Sequence, residues 1–165
     1  GVHGALTRGS RFASLYLAWL AKSYASHYGE PIASVLDAKW AGAVPRLFDG
    51  THDGDATVAA LPELPHDLLS AEFLAAYDGD RDHWFLRRLA ENGLLDWRPR
   101  APIRAYFGRD DVDVTPEQAE LLERNYRSNG ADATAICVGD ADHDASALIA
   151  APLVRAWFAE LATAG

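Results

Sequence analysis

Ile103–His143 reads IRAYFGRDDVDVTPEQAELLERNYRSNGADATAICVGDADH, and its punctuation decides the fold. Pro99 and Pro102 bracket the entry into Ile103-Arg104-Ala105-Tyr106-Phe107, a short apolar run that Gly108 ends, as a buried strand would be. Thr115-Pro116-Glu117-Gln118 is a helix start: Thr at the cap, Pro at the first helical position, Gln three residues after the cap. That helix carries Ala119, Leu122 and Tyr126 on one side and closes at Asn129-Gly130. A second apolar run, Ala133–Val138, ends at Gly139, and Leu153, Val154, Trp157, Phe158 and Leu161 mark a last helix that Pro152 is expected to start. Strand, helix, strand, helix is a βαβα unit whose two strands should run parallel through a right-handed crossover. Two parallel strands cannot cover both their faces and edges, so exposed apolar surface is expected on this unit.

Parallel sheets carry their reactive groups on the loops leaving the carboxyl ends of the strands. Both such loops are loaded: Gly108-Arg109-Asp110-Asp111-Val112-Asp113-Val114 after the first strand, Gly139-Asp140-Ala141-Asp142-His143-Asp144 after the second. Neighbouring strands lie about 4.8 Å apart, so an acid on one loop meets a histidine on the other. This is the orienting half of a nucleophile–histidine–acid triad, in which imidazole takes the nucleophile's proton and carboxylate fixes the imidazole tautomer. An aspartate-rich loop taken alone reads as a solvated turn. Acid and histidine on consecutive strand exits, 32 residues apart and in hydrolase order, make the joint reading specific.

From about Pro102 to Phe158 the chain resembles the C-terminal end of α/β-hydrolase enzymes, esterase- and lipase-like members included. In that family G-x-x-D-x-x-V follows the penultimate core strand and a D-H pair follows the last. The resemblance implies Asp111 as the triad acid and His143 as the triad base, with Pro152–Phe158 as the closing helix. It also implies that the helical region upstream sits where many members insert a cap between the sixth strand and the acid-bearing strand. The departure is equally plain: no serine or cysteine has glycine both two before and two after it. Tyr126-Arg127-Ser128-Asn129-Gly130 lacks the first glycine, and Cys137 falls in an expected buried strand where a thiol is inert. The chain contains no methionine and opens Gly1-Val2-His3, which reads as processed, trimmed or cut from something longer. Taken together, these features imply the C-terminal part of a serine hydrolase, inactive alone.

Upstream, residues 10 to 93 read as helices with Gly/Pro punctuation and no period-2 strand. Ser10 is placed to cap a first helix whose apolar positions are Phe12, Leu15, Tyr16, Trp19, Leu20 and Tyr24, stopped by Gly29 and Pro31. A second helical stretch runs from about Ile32 to Phe48, broken near Gly42 and Pro45. Residues 49–55 are a loop. Short helices follow at about Asp55–Leu61 and Ser70–Tyr77, and Asp82 is placed to cap Trp84–Asn92. The aromatics of this region either line a substrate pocket or pack on one another, the latter being what helical spacing more often means. The fold class is therefore α/β: a helical cap segment over 1–95, then a C-terminal βαβα part over 96–165, a partial α/β-hydrolase fold.

Composition narrows the partners. Twenty-four acidic against fifteen basic residues give a net charge of −9, which repels phosphate backbones, so no nucleic acid is expected. No uninterrupted apolar run reaches the roughly 18 residues of a membrane span, and no signal-peptide order is present. One cysteine offers neither a disulfide nor metal-ligand spacing. Asp78–Asp82 and Asp140–Asp144 place carboxylates at alternate positions, but an EF-hand needs Gly at its sixth position and Glu at its twelfth. The two segments offer His83 and Leu89, and Ala145 and Ala151. His52, His66 and His83 lack ligand spacing and read as exposed or capping. We therefore expect no metal and no cofactor. The expected partners are a small ester or acyl substrate and the missing N-terminal half of the hydrolase core, with a non-catalytic binding module as the alternative. Compartment is left open.

Overall fold

The structure, a computed structural model, describes residues 10, 12–93 and 97–164. They form seven α-helices and a two-stranded parallel sheet, in two compact units, Gly1–Gly93 and Leu94–Gly165. The expected boundary at residues 95 and 96 falls in 94–96, outside the described residues.

The first unit contains α1 (Ala13–Tyr28), α2 (Ala38–Leu47), α3 (Gly54–Ala60), α4 (Ala71–Asp78) and α5 (Trp84–Glu91), with 3-10 turns at Ile32–Ser34 and Pro65–Leu68. Side-chain caps start four of the helices. Asp37, Asp53, Ser70 and His83 accept the backbone N–H of Lys39, Ala56, Phe73 and Phe85 at 3.0, 2.7, 3.0 and 3.1 Å. Gly29, in the left-handed region at φ 70°, closes α1. Two tryptophans reach past their own helices to polar partners: Trp40 Nε1 donates to the Asp67 carbonyl at 2.8 Å and Trp84 Nε1 to Ser34 Oγ at 2.6 Å. Phe73 and Phe85, both fully buried, meet edge to face at 5.8 Å between ring centroids; each such burial stabilises by roughly 1.5–3 kcal/mol.

Four expectations change in this unit. Ser10 does not cap α1; its hydroxyl accepts the Phe12 N–H at 3.1 Å and the helix begins one turn-residue later, behind Phe12. The buried face of α1 is Ala13, Leu17, Ala18, Ala21 and Ala25, while Tyr16 and Trp19 are exposed. Of the large residues at helical spacing, Leu15, Leu20 and Tyr24 pack at the edge of the core, and its centre takes small side chains because α1 closely approaches α2, α3, α5 and both 3-10 turns. α2 starts at Ala38 behind its Asp37 cap, separate from the 3-10 turn at Ile32–Ser34, and runs unbroken through Gly42 and Pro45, since Trp40 and Val44 are both buried and their burial offsets the loss of one helical N–H. Finally, α5 is capped by His83 rather than Asp82, whose carboxylate pairs with Arg87.

The second unit contains β1 (Ile103–Phe107), α6 (Pro116–Ser128), β2 (Ala133–Cys137) and α7 (His143–Ala164). The strands pair in parallel, Ile103 opposite Ala133 through Phe107 opposite Cys137. α6 packs on both strands through Ala119 and Tyr126, and α7 packs on β1. α6 begins behind Thr115 with Pro116 at its first position and ends at Asn129, with Gly130 at φ 78°, as its sequence implies, although the buried Thr115 hydroxyl makes no cap hydrogen bond. Pro152 does not start the last helix: α7 begins nine residues earlier, at His143, and contains Pro152. Leu148, whose carbonyl loses its helical donor to that proline, is 77% exposed, so water reaches the site of the loss.

Both strands are only half-buried, and Cys137 is exposed rather than enclosed. Among the described residues of α7, Ser146, Ala150 and Trp157 bury well, while Leu148, Ile149, Leu153, Phe158 and Leu161 face outward. The apolar spacing of the helix is real, but a two-stranded sheet offers too little surface to cover it. By length and composition His143–Thr163 would also suffice to cross a membrane. Counting uninterrupted apolar residues missed this, because Arg155 and Glu160 divide the run.

Candidate active site

Past the last paired residues of β1 and β2 the two exit loops stay joined. Val138 N–H donates to the Phe107 carbonyl at 2.9 Å, Arg109 N–H to Gly139 at 2.9 Å, and Asp110 N–H to Ala141 at 3.2 Å. Gly108 makes the approach possible: a Cβ on it would stand 2.0 Å from the Ala141 carbonyl oxygen and 2.7 Å from its carbon. Only a residue without a side chain fits there. Beside this contact the Arg109 guanidinium pairs with the Asp140 carboxylate.

The loops deliver Asp111 to His143. Asp111 Oδ2 accepts from His143 Nδ1 at 2.9 Å, while Oδ1 accepts the backbone N–H groups of Asp113 and Val114 at 2.9 and 2.8 Å. The carboxylate side chain is 4% exposed and the imidazole 46%. An ionised carboxylate at Nδ1 requires the proton on that nitrogen, which leaves the Nε2 lone pair free to accept another. The hydrogen bond from Asp111 is the main reason the His143 pKa lies above its ordinary value. Burial opposes the rise, and the negative charges of Asp111, Asp113 and Asp144 add to it. Asp142 does something else: its Oδ1 caps α7 by accepting the Ala145 N–H at 2.9 Å.

His143 is the first residue of α7, so its backbone is held by the helix. Ser146, buried one turn on, donates its hydroxyl to the His143 carbonyl at 2.8 Å. Next to the pair lies an open cleft of about 390 Å³ whose walls include Phe107, Val114, Leu122 and Ser146. A base with a free nitrogen, a buried carboxylate behind it and an adjoining apolar cleft can accept a proton from a hydroxyl placed at Nε2 and return it to a leaving group.

The structure brings together the two residues singled out in the sequence, Asp111 and His143. Gly108, the Arg109–Asp140 pair and Ser146 were missed. A signal for the pair existed: each strand-ending glycine is followed at once by a charge, and the two charges are opposite. Among the described residues no three His, Cys, Asp or Glu side chains gather as a metal-holding group. His52 is exposed, and His83 is a buried cap.

No protein-family model matches the chain, and no curated protein does. Among solved structures it is similar to a crystal structure from Legionella pneumophila subsp. pneumophila str. Philadelphia 1, a protein described as a hydrolase by inference. The TM-score is 0.77 at 24% identity, over 93% of this chain and 41% of that one. The likeness shows a shared fold, and the chain spans well under half the length of that protein.

Proposed function

We propose that the chain is the C-terminal part of a serine hydrolase of the α/β-hydrolase family, one that cleaves an ester in preference to an amide by acyl transfer. The observation that carries this is the Asp111–His143 hydrogen bond at 2.9 Å, with the carboxylate buried and the imidazole half-exposed. In the reaction, His143 takes the proton of a serine hydroxyl supplied by polypeptide outside residues 1–165, and the serine oxygen attacks the ester carbonyl. The protonated imidazole then gives its proton to the departing alcohol, and a water activated by the same base releases the acid. Asp111 keeps the proton on Nδ1 and stabilises the imidazolium in each half. The helical unit over 1–93 is proposed as the cap of that enzyme, and the reaction requires no cofactor.

A fluorophosphonate probe, which reacts with activated serines, tests the reading. In a protein joining this chain to its serine-bearing part, the probe labels one serine and hydrolysis of a short-chain ester falls by several orders of magnitude in His143→Ala. The 165-residue chain alone stays unlabelled. Labelling of the isolated chain, or a His143→Ala protein that hydrolyses normally, overturns the proposal. A joined protein that neither takes the label nor hydrolyses the ester belongs to the alternative, a binding module.

A further inference from the structure

The rungs joining the two exit loops run in sequence from the sheet outward. They are Phe107 with Val138, Arg109 with Gly139, the Arg109 and Asp140 side chains, Asp110 with Ala141, and finally Asp111 with His143. Paired strand residues are thirty apart in sequence, and Arg109 and Gly139 keep that offset; Asp111 and His143 are thirty-two apart. Between the strand ends and the Asp111–His143 pair, the Arg109–Asp140 ion pair is the side-chain cross-link.

We infer that Arg109 and Asp140 are a positioning pair, tying the acid loop to the histidine loop so that Asp111 stays within hydrogen-bonding reach of His143 Nδ1. The inference rests on reading Asp111 and His143 as acid and base. Both members of the pair are well exposed, so they add little to global stability. Their effect is local. Asp111 Oδ1 is already held by its own loop through Asp113 and Val114, so the carboxylate moves with that loop. His143 Nδ1 moves with the start of α7. Whatever limits the separation of the two loops therefore limits the length of the Asp111–His143 bond, and the guanidinium's planar array of donors suits a fixed carboxylate.

The test is an NMR titration of the His143 ring in the full chain, comparing the native protein with Arg109→Gln and with the charge-exchanged Arg109→Asp/Asp140→Arg. Loss of a nearby cation by charge alone moves an imidazole pKa up. Loosening of the Asp111 bond moves it down, because that bond is the main cause of the elevated value. Asp111 and Asp113 on the acid loop and Asp144 on α7 are the charges facing the ring, and all three are retained in both variants. We expect a downward shift in Arg109→Gln, restoration in the exchanged protein and an unchanged melting temperature. In Asp111→Asn, adding Arg109→Gln should shift the ring no further down. An upward or absent shift in Arg109→Gln, or no restoration by the exchange, overturns the inference. The titration needs no nucleophile, so it stands or falls separately from the hydrolase reading. In a serine-bearing protein that hydrolyses through His143, an unchanged Arg109→Gln titration refutes the positioning pair alone.

Discussion

Gly108→Ala is the substitution with the most direct geometric consequence. A Cβ there would lie 2.0 Å from the Ala141 carbonyl oxygen, where even tightly packed Cβ atoms keep 3.0 Å, so the loops must part by about 1 Å. The obstacle is backbone, not the movable end of a side chain. Carried to the site, that displacement lengthens the Asp110–Ala141 bond from 3.2 Å and the Asp111–His143 bond from 2.9 Å, each to beyond hydrogen-bonding range. Overpacking of this kind costs about 1–3 kcal/mol, and Asp111 is left buried with one oxygen unserved. We expect a lower melting temperature and, more diagnostically, a His143 ring that titrates lower than in the native chain. Gly42→Ala is the control: it sits inside α2 with nothing within 4 Å of the new Cβ, and helix propensity makes the change favourable by up to about 1 kcal/mol. The two variants are compared by thermal denaturation and by NMR titration of His143. If Gly108→Ala melts and titrates like the native protein, the close approach of the loops is not what holds the pair together.

Asp111→Asn should lower the His143 pKa, read by the same titration. In the serine-bearing enzyme it should also cut kcat by up to about 10⁴-fold, since an amide does not enforce the required tautomer. For His143 the folded pKa lies above the unfolded 6.5, so its contribution to stability is full below pH 6.5. That contribution is lost as pH rises through the folded value; hydrolysis by the neutral imidazole rises over the same window, which a pH–rate profile checks. His83 behaves in the opposite sense: burial holds its pKa below 6.5, with Glu72, Arg87 and Asp82 as the neighbouring charges. The helical unit should be fully stable above pH 6.5 and lose stability as pH falls toward the folded value. The loss should be abolished in His83→Asn, which still caps α5, and absence of a difference between the two proteins in acid melts refutes it.

How much of this was legible beforehand follows the range of the interactions. Strand ends at glycines, the Thr115-Pro116 helix start and the stop at Asn129-Gly130 depend on residues within one turn of each other, and all appear where the sequence implied. The order of acid and histidine on successive strand exits is likewise a matter of chain order. Burial is not local. α1 turns an alanine face inward because of what packs around it, and α7 leaves Leu148 and Phe158 in solvent because the sheet beneath is only two strands wide. His83 displaces Asp82 as a cap once its backbone is extended and its ring is enclosed by Phe73 and Trp84. The meeting of Asp111 and His143 to 2.9 Å belongs to the same class. Residue order places them on neighbouring loops, but the bond length is set by Gly108 against the Ala141 backbone, a contact between residues far apart in the chain that exists only once the strands have paired.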